Sequence, residues 1–283
     1  MNLIVKRRGE AVVRALKKDR IAMAAVIYLL LVIVLSLIAP LLPINANKTD
    51  VFHILEPASA AHWFGTDELG RDYFARILYG GRISIAVGIL AMLMSTVLGV
   101  TIGMVSGFVG GIVDAFLMRL VDVIHSIPWL ILVTVVSIFF KKGLFSIVVV
   151  IGFFSWMEIA RLVRAEVLSL KEREYIQYAE FIGLGTGKII IRHLIPAVMP
   201  TIIVSATSGI ADAIMTESAL SFLGIGIQEP LSSWGKLLQA AQSNLQNALY
   251  MALIPGLLII FTIFSFNKLG NILRVYLEPE KSA

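Results

Sequence analysis

Long apolar runs alternate with short polar segments along the whole chain. Residues 21–42 form 22 consecutive positions without a charge, and residues 83–105 form another 23. At 1.5 Å rise per residue, either run can cross a hydrocarbon layer about 30 Å thick as a helix. Four more spans are predicted over 123–140, 146–159, 197–215 and 249–266. The third follows an amphipathic run, 113–122, and the helix of the fourth, which contains Glu158, is expected to continue to Leu170. The fifth carries one acid, Asp212, while the first, second and sixth read as featureless apolar helices. The pattern predicts an all-α membrane protein with six transmembrane helices.

Composition agrees with that reading. Hydrophobic residues make up 58% of the chain, mean hydropathy is +0.88, and charged residues amount to 15%, against about 25% in a soluble globule. The net charge of +5 is then better read by location than as a sign of nucleic-acid binding. With the N-terminus inside, the inner segments hold 17 Lys and Arg and the outer ones 7, so the positive-inside rule expects both termini in the cytoplasm. The expected organisation is a cytoplasmic segment 1–20, a first transmembrane helix 21–42, an external segment 43–82, a five-helix core 83–266 and a cytoplasmic tail 267–283. The first span is longer than the core of about 7–15 residues in a signal peptide, and reads as a retained anchor.

Catalytic and metal chemistry find little support. The chain has no cysteine, which excludes disulfides and thiolate ligands. Its four histidines, His53, His62, His125 and His193, have no short ligand spacing. An intramembrane enzyme would need paired polar residues such as HExxH within spans, and none is present. FIGLGTGKII at 181–190 suggests a phosphate loop, but G-x-x-x-x-G-K-[ST] requires glycine at Ile182 and a hydroxyl at Ile189. The stretch reads instead as an elbow. Tyr175, Tyr178, Ala179 and Ile182 make one apolar stripe on a short helix, Gly183 and Gly185 end it, and a second short run leads to Pro196 near the start of the fifth span. Such a projection suits a groove on a partner protein.

The elbow resembles the cytoplasmic coupling loop of binding-protein-dependent ABC importer permeases, whose pattern is E-A-A-x3-G-x9-I-x-L-P. Ala179, Gly183 and Pro196 match it, Ile195 replaces leucine, and Gln177, Tyr178 and His193 depart from it. GTDELGRDYFARILYGGRIS at 65–84 and ALSFLGIGIQEPLSSWG at 219–235 are similar to segments of the peptide and nickel branch. The resemblance implies a type I ABC importer permease fold. It also implies a heterodimer with a second permease subunit, two cytoplasmic ATPase subunits, an external substrate-binding protein and a site in the inner (cytoplasmic) membrane. ATP and magnesium would sit on the ATPases, with no cofactor on this chain. The substrate would be a di- or oligopeptide; the alternative on the same architecture is nickel or a metal chelate. A stand-alone secondary transporter or channel is the reading from another class.

Within this frame Tyr175, Gln177, Tyr178, Ala179, Gly183, Gly185 and Pro196, in the coupling loop 171–196, are the candidate ATPase contact, with small Ala179 permitting close approach. Asp67, Arg71 and Asp72 are candidates for external contact with the binding protein, although mutual pairing with Glu68 is favoured. Asp212, placed near the outer end of its span, and Glu217, at the boundary, are candidate polar groups of the pathway. Asp114, Arg119 and Asp122 are expected to be solvated or ion-paired, and Trp63, Trp129 and Trp156 to anchor at the membrane interface.

Overall fold

The structure, a computed structural model, describes residues 19–140 and 143–277. Most of the segment 1–20, Lys141 and Lys142, and the end of the tail lie outside the described residues. The chain is a helical bundle, with α1 Arg20–Ile38, α2 Tyr73–Val109, α3 Gly111–His125, α4 Trp129–Phe139 and α5 Leu144–Lys171. Two short helices follow, α6 Glu174–Phe181 and α7 Thr186–Ile189, and a π turn, Ile190–Leu194, carries α7 into α8 Ile195–Phe222. The bundle ends with α9 Trp234–Ala241 and α10 Tyr250–Leu277. Among the described residues, five helices are long and apolar enough to cross a membrane alone, and Gly111–His125 with Trp129–Val136 forms a pair bent by 87° that passes the same test together.

That bent pair corrects the third predicted span. Residues 123–125 finish the amphipathic helix, and Pro128 precedes α4 because proline cannot continue a helix from within. With 11 residues, α4 is too short to cross alone. The second span is corrected in the other direction. Arg76 and Arg82 end the apolar run in sequence, yet the helix begins ten residues before Ile83, where Asp72 caps it by accepting from the Ala75 N–H at 2.8 Å. Likewise α8 runs seven residues past Met215, which moves Asp212 away from the helix end.

The second span is not featureless either. Gly99, Gly103 and Gly107 recur every fourth residue on α2, and α5 packs directly onto that stripe. A Cβ at Gly99 would lie 2.6 Å from the Ile159 Cβ, and one at Gly107 would lie 2.9 Å from the Val167 Cβ. Small residues at this spacing let two membrane helices approach closely. The stripe was present in the sequence as GxxxGxxxG. Elsewhere polar ties join the helices: Asp19 caps α1 and pairs with Lys268 of α10 at 2.7 Å, and the Tyr28 hydroxyl donates to the Leu258 carbonyl at 3.0 Å. Asp114 and Asp122 on α3 pair with Arg164 and Arg161 of α5. Trp156 is buried against Val121 and Ala160 rather than placed at an interface, and Trp129 lines an internal cleft.

Candidate functional site

Three places gather the candidate residues: a polar cap at one end of the bundle, a cleft within it, and the elbow at the other end.

In the cap, GTDELGRD folds into a tight turn. The Asp67 carboxylate accepts from the N–H groups of Leu69 and Arg71 and from the Arg71 Nε at 2.6 Å. Arg76, one turn into α2 and 1% exposed, donates to Glu229 at 2.8 Å and lies 3.7 Å from Asp67. Glu229 also meets Arg71 at 3.1 Å, so one carboxylate joins the 222–233 loop to the segment before α2. Burial would raise the Glu229 carboxyl, but Arg76 and Arg71 together hold it below the usual range. Burial would lower the Arg71 guanidinium, and Asp67 and Glu229 raise it instead. Glu68 is pushed up, chiefly by burial. Tyr250 closes the cap by donating to the Thr66 carbonyl at 2.6 Å. Asp67 and Arg71 are therefore buried in an ion-pair network and Asp72 is a helix cap with His62 on its other oxygen at 2.9 Å. Asp67 and Arg71 present no open face, Asp72 is a quarter exposed, and Glu229 and, in part, Glu68 are open.

The cleft has a volume of about 990 Å³ and is lined from α2, α5, α8, α10 and the break between α3 and α4. Its polar wall holds Glu158, Asp212, His125, Arg274 and several hydroxyls, including Ser126, Ser208 and Thr216. The non-helical backbone at Ser126–Pro128 lines this cleft, and in membrane proteins irregular backbone is tolerated where it is buried in protein or lines a cavity. Asp212 thus belongs to the cleft, beside Glu158, which the sequence reading had left without a role. Glu217 does not. It is fully buried on the far face of α8, bonded to Ser84 at 2.9 Å and Ser221 at 2.7 Å. Among the described residues no group of three or more His, Asp and Glu could hold a metal ion.

At the elbow α6 ends as its glycine requires. Gly183 has φ +78°, its N–H donates to the Glu180 carbonyl, and the Leu184 N–H reaches back to Ala179, which together form a Schellman cap. Gly185 is extended, at φ −63° and ψ 145°, and needs no glycine for its backbone. The apolar stripe lies in a different register from the one expected. Ile176 and Ala179 are the buried positions, within a cluster that includes Phe108, Val167 and Ile189. Ala179, 3% exposed, packs beneath the elbow. The free apolar face is Tyr175, Tyr178, Phe181 and Ile182, with Phe181 88% exposed. Phe181 was missed; its position directly before the helix-ending Ile182-Gly183 pair, outside the buried register, was the available signal. Gln177 is exposed beside them. Pro196 lies just after the π turn, whose wider Ile195 N–H to Ile190 carbonyl bond lets a residue without a donor sit in a continuous helix.

Comparisons with known proteins follow this geometry. The family described as binding-protein-dependent transport system inner membrane component matches residues 99–282, and the N-terminal TM domain of oligopeptide transport permease C matches residues 9–58. The chain is 40% identical over 270 residues to the oligopeptide transport system permease protein OppC of Escherichia coli (strain K12), covering 94% of this chain and 89% of that protein. It is 39% identical to the dipeptide transport system permease protein DppC of Bacillus subtilis (strain 168), over 94% and 84%. It is 38% identical to the glutathione transport system permease protein GsiD of Pectobacterium atrosepticum, over 94% and 89%. In fold it is similar to a chain of the MetNI methionine ABC transporter in an inward-facing conformation, with TM-score 0.58 and 19% identity over 72% of this chain and 97% of that one.

Proposed function

The chain belongs to the family of binding-protein-dependent transport system inner membrane components, and from that premise we propose that it is one permease half of an ATP-driven peptide importer. It is a multi-pass membrane protein. In this reading the elbow end faces the cytoplasm, the cap end faces outward, and the cleft is this chain's half of the substrate pathway. A second permease completes the cleft, two ATPase subunits bind the elbows, and an external binding protein delivers the peptide. ATP hydrolysis takes place on the ATPases, so the chain is non-catalytic.

The observation that carries the reading is the elbow. Four large apolar side chains stand exposed on a capped helix that sits on the same buried cluster as α2, α5 and α8. A push on that face reaches the cleft walls directly, because α8 lines the cleft and α7 continues into it. Peptide as substrate is supported by the oligopeptide and dipeptide transport for which the relatives are named and by a cleft wide enough for several residues, with carboxylates and a guanidinium on its wall.

The test is coexpression of this chain with its partner permease, ATPases and binding protein, purification, and reconstitution into proteoliposomes. Peptide uptake that depends on ATP and on the binding protein is the expected result. A complex that forms without ATPase, or a chain that alone moves substrate down its gradient, would overturn the reading. Uptake of nickel but not of peptide by the same vesicles would overturn the substrate class alone.

A further inference from the structure

Glu217 is the one fully buried acid of α8, and the pathway makes no use of it. Among the described residues no lysine or arginine forms an ion pair with it. Its surroundings are hydroxyls. Ser84 of α2 donates to one carboxylate oxygen and Ser221 of α8 to the other. Ser233, the cap residue of α9, and Ser218 of α8 also lie beside it.

The hydroxyls of Ser221, Ser84 and Ser233 are each also the acceptor for a backbone N–H of the segment between α8 and α9 or of α9 itself. Ser221 accepts from Ile227 at 3.0 Å, Ser84 from Trp234 at 3.2 Å, and Ser233 from Lys236 at 3.1 Å. A serine has one proton to give. Ser84 and Ser221 turn their lone pairs to backbone donors and their protons to Glu217. The Glu217 side chain thus sits at the centre of a shell that reaches α2, the 223–233 segment and α9.

Position relates this shell to the cleft. On α8 the cleft lining runs from Thr201 to Thr216 and stops there, one residue before Glu217. The loop that the shell holds also buries Ile227 completely over the same end of the bundle. We propose that Glu217 is a positioning residue that clasps the 223–236 segment onto α2 and so keeps the cap end of the pathway shut. Opening at that end requires Ser84 and Ser221 to leave Glu217. The inference rests on the transport reading for its purpose, but the clasp itself can be read without transport.

Because the chain contains no cysteine, a single introduced one reports by itself. Ile227→Cys places it under the clasped loop, and Ile176→Cys places a second reporter under the elbow; both side chains are wholly buried. Each is combined with Glu217→Gln, which offers an amide donor where a serine proton arrives, and separately with the milder Ser221→Ala. Labelling by a water-soluble maleimide is measured in membranes carrying the assembled complex. The expected result is labelling at 227 faster by about tenfold or more, with labelling at 176 unchanged, as for a local opening. In the complex, ATPase activity without binding protein should rise several-fold. Unchanged labelling at 227 overturns the proposal, and so does equal acceleration at 227 and 176, which would show a general loss of packing. If no ATPase assembles with the chain, the transport reading fails while the labelling ratio still decides the clasp.

Discussion

In the cap, Arg71 and Arg76 lie almost wholly out of solvent, and each reaches carboxylates from two separate segments. In the elbow, Tyr178 and Phe181 stand mostly in the open among the described residues. The first region inverts the usual rule by burying charge, the second by exposing aromatic surface. Buried ions are costly to desolvate and are strongly destabilising when one partner is lost. They suit a place that must keep one arrangement. Exposed aromatics suit a place that is finished by another protein, since such side chains dominate interface energetics. The two ends therefore differ in kind: one is held by charges buried within the chain, and the other leaves aromatic surface free, as the proposed docking of a partner requires.

The sharpest way to break this contrast is Arg76→Ala. It removes the 2.8 Å partner of Glu229 and leaves the network resting on Arg71 alone, and a loss of about 3 kcal/mol is expected for charge-assisted hydrogen bonds lost from a buried guanidinium. Thermal unfolding in detergent should show the loss, with little folded complex recovered. Phe181→Ala should do the opposite. Unfolding of the purified chain stays where it was, while binding of the ATPase weakens by at least about 2 kcal/mol, roughly thirtyfold, as for an interface anchor. Titration of ATPase onto permease in nanodiscs would measure it. If Phe181→Ala instead destabilises the chain, the elbow is structural and the contrast fails.

Two smaller effects sharpen it. Gly183→Val puts a branched side chain at φ +78°, at a cost of about 1–2 kcal/mol. Gly185→Ala, at a φ that alanine adopts freely, should be neutral or stabilise by about 0.4–1 kcal/mol. The pair of melting curves separates backbone need from mere glycine content. The last prediction concerns pH. The folded-state value of Glu229 is depressed by Arg76 and Arg71. Its contribution is therefore full above the ordinary glutamate range near 4.5 and is lost as pH falls through the lower folded value. Glu68, raised by burial, works against the cap above its own raised value and is relieved by acid. Glu229→Gln should flatten the acid limb of stability, and Glu68→Gln should steepen it.

Much of the molecule was legible in the sequence, and the gaps have physical causes. Uncharged runs of about twenty residues report spans because lipid penalises any unpaired polar group. The same logic misplaced the start of α2, since Arg76 looks like the end of a span until Glu229, 153 residues away, is brought beside it. Asp212 looked terminal for a similar reason: Glu217 closes the apolar run in sequence, and only Ser84 and Ser221 show how a helix can carry that acid inward. The elbow itself was legible from Gly183. Its register was not, because Ile176 and Ala179 compete with Tyr175, Tyr178 and Ile182 for the inner face of an eight-residue helix. Only the neighbours Phe108 and Val167 decide it.

The unbroken path from Thr186 to Phe222 has a mechanical consequence. At 1.5 Å per residue its 37 residues make a beam about 55 Å long. A tilt of roughly 10° about its middle swings the two tips by about 5 Å each, and in opposite directions. One tip adjoins the exposed apolar face of the elbow, and the other carries Glu217 and Ser221. A seesaw of this kind sets the two mouths of a channel in antiphase by geometry alone, and the π turn at Ile190–Leu194, near the lower tip, is where the beam can flex when both tips are held.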